Sequence, residues 1–263
     1  MHTALSIGAA DCSCGAGVGS DLKAFSALGV YGMAVVTSVI AWNTQGSRGH
    51  ELMDDSLVAN QLAAIAEDFP VGAFKTGYLG TARLVSVVAE QIQRQSLDRY
   101  ICDPVIEEQY GIHPEASLVH AYRKELLPLA TVVTPNKFAT ALLANMEESD
   151  VQNLAGAKKA AEKIAKTGAR SVVIKGLFTG DRVTDLFFDG NEFIEFPAKR
   201  LTTKNTYGAG SLFSAVITGM LAQDIELPTA IDHARSFVSQ AIEHHVKIGS
   251  GVRPVNVLAL TPV

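Results

Sequence analysis

The stretch Thr203-Lys204-Asn205-Thr206-Tyr207-Gly208-Ala209-Gly210-Ser211, followed directly by an apolar pattern of helical period, is the strongest chemical signal in the chain. Two glycines let the backbone turn successive N–H groups toward one point, and the helix N-terminus adds the positive end of its dipole there. The result is an anion hole. Its alternative is a glycine-rich helix start with no ligand; Lys204 and the threonine hydroxyls on the approach tilt the reading toward phosphate. A second glycine-rich stretch, residues 9–21, follows the first apolar run and opens the first helical pattern. It has the outline of a dinucleotide fingerprint, but residues 35–42 lack the acidic side chain that would hold a ribose, which argues against a nicotinamide-dependent oxidoreductase. No Gly-x4-Gly-Lys-Ser/Thr string occurs. Cys12-x-Cys14 lacks a second ligand pair and reads as small reduced cysteines, and His244-His245 reads as a solvated helix end.

These groups need a scaffold, and the chain alternates short β-rich runs with longer stretches of helical period, the signature of βαβ units and a mainly parallel sheet. Strands are expected at residues 5–9, 33–40, 71–75, 100–103, 131–134, 171–175, 183–188 and 193–196. Helices are expected at 21–28, 55–66, 82–95, 153–166, about 212–222 and about 228–245. Asp189-Gly190-Asn191 makes the last two strands a hairpin, expected at a sheet edge. Ligands of such sheets gather at the carboxyl ends of the strands.

At 263 residues one large α/β domain, 1–263, is the expectation. A net charge of -5 without a basic cluster argues against a nucleic-acid partner. Three cysteines, an N-terminus without a basic leader and no apolar run of membrane-crossing length point to the cytoplasm and to no membrane partner.

Taken together, several segments resemble one family over almost the full length. They are Gly15-Ala16-Gly17 with residues 21–33, Asn43-Thr44-Gln45-Gly46, Asp103-Pro104-Val105, Leu127 through Asn136, and Thr203-Lys204-Asn205-Thr206. The family is that of the hydroxymethylpyrimidine and phosphomethylpyrimidine kinases of thiamine synthesis, within the ribokinase superfamily and related to pyridoxal kinases. The resemblance implies a ribokinase-like three-layer α/β fold, with a central mainly parallel sheet flanked by helices and an edge hairpin. It implies ATP and Mg2+ as cofactors, a small aromatic alcohol as substrate, and a homodimer. Asn136, Lys175, Lys204 and Thr206 would lie along the nucleotide. Gly208, Ala209, Gly210 and Ser211 would cradle the transferring group with Lys175, and Asp103 would organise the magnesium. Asp21 and Val105 would hold the ring, with Ala9, Trp42 and Tyr78 lining its pocket.

Departures from the family pattern fall at the positions expected to do chemistry. Ser211 stands where the family has a cysteine, and a serine has no useful base strength near neutral pH. Ala139 replaces a glutamate expected to hold water on the magnesium, and Cys14 replaces a turn glycine. In the pocket, Ala9, Trp42 and Tyr78 replace a glycine, a glutamine and a methionine, and an indole donates only one hydrogen bond to a ring. Glu107 and Glu108 bring negative charge near the phosphate path. The expected function is therefore phosphorylation of a hydroxymethyl group on hydroxymethylpyrimidine or its phosphate. The alternatives are a pyridoxal or pyridoxine kinase, and a non-catalytic binding relative.

Overall fold

Successive side chains of a strand point to opposite faces, so the central strands, apolar at consecutive positions, serve two cores, and the computed structural model, which describes residues 1–106, 115–179 and 181–259, shows what each face meets. The chain runs β1 (Thr3–Asp11), α1 (Gly17–Ala27), β2 (Tyr31–Asn43), β3 (Gly46–Leu52), α2 (Asp55–Asp68), β4 (Ala73–Thr76) and α3 (Ala82–Arg94). It continues β5 (Tyr100–Cys102), α4 (Ala116–Ala121), β6 (Val132–Val133), α5 (Lys137–Ala144), α6 (Leu154–Ala165), β7 (Val172–Thr179), β8 (Arg182–Phe188), β9 (Phe193–Lys199), α7 (Ala209–Leu221) and α8 (Leu227–Glu243). Among the described residues nine strands form one sheet, in the order β3-β2-β1-β4-β5-β6-β7-β8-β9. From β2 to β7 all neighbours are parallel, and antiparallel hairpins close both sides.

Leu5, Ile7, Phe74, Cys102, Val133 and Ile174 point into a core shared with α2 through α6. Their neighbours Ala4, Ala73, Ile101, Val132 and Val173 point the other way, into a core shared with α1, α7 and α8. The small side chains Ala4 and Ala73 let α7 lie close to the centre of the sheet, which brings its N-terminus to the carboxyl ends of the strands.

The expected three layers and edge hairpin are present, and several boundaries move. The first strand does not stop at Ala9: a register shift between Gly8 and Ala9 lets β1 stay paired with β2 as far as Asp11. The first helix begins at Gly17 and not at Asp21; Gly19 lies in its first turn, where an added Cβ would meet the Cys14 sulfur at 2.7 Å, so the glycine marks close packing and not a loop. The anion-hole helix likewise begins at Ala209, three residues before expectation. Strand β3 is absent from the sequence reading, since Gly-Ser-Arg-Gly-His-Glu-Leu carries no apolar alternation and is held by pairing to β2. Helix α5 is also additional; Asn136 caps it by accepting from the Ala139 N–H at 2.9 Å. Glu107 and Glu108 lie outside the described residues.

The three cysteines are free and differ in environment. Burial pushes the Cys102 thiol up to about 12, whereas Cys12 is exposed. Because the thiolate is the reactive form, iodoacetamide at pH 8 should modify Cys12 while Cys102 reacts only after unfolding, as read by peptide mass spectrometry.

Candidate active site

A cavity of about 850 Å³ opens at the carboxyl ends of the parallel strands. Among the described residues three register shifts interrupt the sheet, and each lies on the cavity wall: Gly8/Ala9 in β1, Ile40/Trp42 between β2 and β3, and Ile174/Leu177 between β7 and β8. A bulge bends the strand and re-aims the side chains beside it. The third bulge contains Lys175 and Gly176, which explains how a lysine in an apolar strand reaches the cavity.

At one end of the cavity lies the first turn of α7. Gly208 caps it in the left-handed region (φ +84°), and an added Cβ would sit 1.8 Å from the Gly15 carbonyl oxygen, so only glycine fits. The Ala209 N–H donates to the Thr206 carbonyl at 3.0 Å, and the N–H groups next along the turn have no acceptor within the helix. Lys175 Nζ stands above this turn, 3.6 Å from where a Cβ on Gly210 would be. It donates to Asp103 Oδ1 at 3.1 Å. The second oxygen, Asp103 Oδ2, accepts from the Ser214 hydroxyl at 2.7 Å, so the carboxylate is held from β7 and α7 together. Nearby on β8, burial raises the Asp185 carboxyl, while the Gly176 N–H at 2.7 Å and the Lys175 charge oppose the rise. The arrangement offers directed N–H groups, an ammonium and an oriented carboxylate, the set that phosphoryl transfer uses.

The opposite end is apolar. Ala9, Ile40 and Tyr78 form a small buried cluster separate from the two main cores, with Trp42, Leu52 and Val105 packed on it. Trp42 stacks on Tyr207 with ring centroids 5.3 Å apart. Tyr207 donates its hydroxyl to Asp11 Oδ2 at 2.6 Å. The Asp11 carboxylate also accepts from the N–H groups of Ser13, Gly15 and Ala16. The glycine-rich stretch that outlines a dinucleotide fingerprint is thus a turn wound around one aspartate of its own. Cys14 takes a left-handed φ of +51°, a conformation that favours glycine.

Between the two ends is a buried charge pair. Asp21 on α1 and Lys75 on β4 are each 1% exposed and meet at 2.8 Å. Asp21 Oδ2 also accepts from Ser6, at 2.6 Å, and Asp21 Oδ1 accepts from the Ser211 hydroxyl at 2.8 Å.

Most residues expected at the site line this one cavity: Ala9, Asp21, Trp42, Tyr78 and Val105 with the ring-sized end, and Asp103, Lys175, Gly208, Ala209, Gly210 and Ser211 with the polar end. Asn136 and Thr206 also lie on its wall, the former engaged as the α5 cap. Lys204 does not: it is exposed on the approach loop, where its carbonyl accepts from the Thr206 N–H and its side chain stays outside the cavity lining. Lys75, Asp11 and Tyr207 are the site residues that sequence reasoning missed. The usable signal for Lys75 was a lone charge inside a four-residue strand, Ala-Phe-Lys-Thr, that is otherwise buried. Gly208→Ala should displace the first turn of α7 and lower phosphoryl transfer by about 10²-fold or more, with helix content by circular dichroism retained.

The family model described as phosphomethylpyrimidine kinase matches residues 11–256. A hydroxymethylpyrimidine/phosphomethylpyrimidine kinase of Rhizobium meliloti is 38% identical over 260 residues, covering 96% of each chain. The ADP complex of Bacillus subtilis pyridoxal kinase superposes with a TM-score of 0.91 at 34% identity, covering 98% of both chains. Pyridoxal kinase from Staphylococcus aureus, in complex with AMP-PCP and pyridoxal, gives a TM-score of 0.89 at 30% identity, covering 98% of this chain and 94% of that one. The nine-stranded sheet with helices on both faces is therefore a ribokinase-like fold. An oriented anion site beside an apolar pocket, and agreement with these kinases along nearly the whole chain, lead to one conclusion: the chain belongs to the phosphomethylpyrimidine kinase family and is a phosphotransferase with an alcohol acceptor.

Proposed function

We propose that this protein transfers the γ-phosphoryl group of ATP to the hydroxymethyl group of a small aromatic ring, with hydroxymethylpyrimidine or its phosphate as the first candidate, within one kinase domain spanning 1–263. The observation that carries the reading is that one cavity has two unlike ends, an N–H and lysine cradle at Gly208–Ser211 and Lys175 and an apolar cluster at Ala9, Trp42, Tyr78 and Val105. In this reading the cradle binds the phosphates, Lys175 tracks the transferring group, and the apolar end excludes water and holds the ring in line. Asn136 and Thr206 face the nucleotide.

The donor set suits magnesium, which would be held by Asp103, water and the phosphates. Among the described residues no cluster of three metal-ligating side chains exists, and Ala139 supplies no second carboxylate; magnesium characteristically keeps its waters and takes one or two carboxylates. When bound, the ion neutralises charge on the phosphate oxygens.

One observation favours a second reading. The Trp42 indole lies flat on Tyr207, so this wall offers a stacking surface in place of the paired hydrogen bonds of a glutamine amide, and that suits pyridoxal or pyridoxine better than an aminopyrimidine. Support for a homodimer comes from the open edge of β3 and from Val39, which is exposed on the neighbouring strand. Sedimentation velocity checks it; a species of monomer mass at micromolar concentration would remove it. No helix among the described residues is long and apolar enough to cross a membrane, and the three free cysteines accord with a reducing compartment such as the cytoplasm.

The deciding experiment is single-turnover transfer from ATP and magnesium to hydroxymethylpyrimidine, its phosphate, pyridoxal and pyridoxine in parallel. We expect one of these to be phosphorylated faster than ATP is hydrolysed in its absence. Failure of all four would reject the reading.

A further inference from the structure

A serine hydroxyl is too weak a base to take a proton from an alcohol unless its own proton has somewhere to go. At Ser211 it has. Its Oγ–H donates to Asp21 Oδ1 at 2.8 Å, and Asp21 lies behind it, 1% exposed, fixed on its other oxygen by Lys75 Nζ at 2.8 Å and the Ser6 hydroxyl at 2.6 Å. Lys75 Nζ also lies 3.4 Å from Ser211 Oγ and from the Ser211 carbonyl oxygen, so the ammonium braces both members. Ser211 itself is in the first turn of α7, where the anion site is. Its hydroxyl therefore stands between a buried carboxylate and the point at which a substrate oxygen would meet the transferring phosphorus.

We infer that Ser211 and Asp21 form a two-step proton relay: the substrate hydroxyl gives its proton to Ser211 Oγ while Ser211 gives its own to Asp21. The inference rests on the kinase reading above and assigns to Asp21 a part that acts through Ser211, distinct from contact with the ring. As the substrate oxygen bonds to the γ-phosphorus, the bond from that phosphorus to the ADP oxygen breaks and its electron pair leaves with ADP. The substrate proton ends as the acid proton of Asp21, with Ser211 restored as a neutral hydroxyl. After the products leave, the proton returns along the same path to water. Lys75 remains an ammonium throughout; its role is to offset the burial of the Asp21 charge and to fix which oxygen faces Ser211.

Under this scheme the serine at a cysteine position is not a lost base, because the base is one bond further back. It also predicts non-additivity, since two groups in one relay are removed by losing either. The test compares Ser211→Ala, Ser211→Thr, Asp21→Asn, the double variant Ser211→Ala/Asp21→Asn, and Asp21→Asn/Lys75→Met, which removes both charges so that no unpaired ammonium is left buried. For each, kcat and KM for the ring alcohol are measured, with thermal unfolding in the presence and absence of ATP as a readout of folding and nucleotide binding.

A relay predicts that Ser211→Ala and Asp21→Asn each lower kcat by about 10²-fold with KM changed less than about threefold, and that the double variant is no slower than the worse single. It also predicts that Ser211→Thr, which keeps the hydroxyl, stays within about tenfold of wild type, and that Asp21→Asn/Lys75→Met is protected by ATP but as slow as Asp21→Asn. A Ser211→Ala enzyme at near-wild-type kcat would mean that the substrate reaches Asp21 unaided and would overturn the relay. So would multiplicative losses in the double variant, or recovery of kcat in Asp21→Asn/Lys75→Met. If the wild type transfers no phosphoryl group to any ring alcohol, the kinase reading fails and the relay with it; an active wild type with any of the three contrary results rejects the relay alone.

Discussion

The Asp21–Lys75 pair is the contact on which the geometry of the cavity turns. Two opposite charges, each almost wholly withdrawn from water, tie α1 to β4, and hydrogen bonds from Ser6 and Ser211 extend the tie to β1 and α7. Burying either charge alone would cost several kcal/mol; together, with every carboxylate oxygen accepting a hydrogen bond, the desolvation is offset and the geometry is fixed. Removing one partner of such a pair typically costs about 3–5 kcal/mol. The pair thus sets where the first turn of α7 stands relative to the strand ends, and through that turn it sets the distance between the anion cradle and the apolar pocket.

A second ion pair, with its carboxylate buried and its lysine half-buried on the cavity wall, works in parallel. Lys175 and Asp103 link β7 to the strand end of β5, and Ser214 connects that carboxylate back to α7 one turn beyond Ser211. Helix α7 is therefore pinned to two carboxylates at successive turns of one face, through Ser211 and Ser214. Its packing against Ala4 and Ala73 brings it close enough to the sheet for both pins to reach. The three strand bulges complete the design, each placing a cavity residue where a regular ladder would have turned it into a core.

Much of this was readable from residue order alone, for physical reasons that differ by region. The central strands announce themselves because burial on both faces demands continuous β-branched or apolar residues, as in Val172 and Val173 or Tyr100 and Ile101. The turn at Gly208–Ser211 was legible because the backbone there needs glycine and the helix that follows is mostly apolar. Strand β3 was not, since its stability comes from its partner and not from its own side chains. Lys75 was missed because a buried lysine is defined by a carboxylate 54 positions away in sequence, which no local pattern reports. Asp11 was missed for a related reason: its neighbours drew attention as a glycine motif, whereas the carboxylate they surround gives them their shape.

The central claim is that one cavity holds phosphates at the α7 N-terminus and an aromatic alcohol against Trp42, with Ser211 between them. A crystal structure with magnesium, a non-hydrolysable ATP analogue and a ring alcohol measures this directly. The account predicts the γ-phosphate within hydrogen-bond distance of the Gly210 or Ser211 N–H and of Lys175 Nζ, and the ring hydroxyl within hydrogen-bond distance of Ser211 Oγ. Phosphates bound away from α7, or a ring whose hydroxyl points away from Ser211, would contradict it.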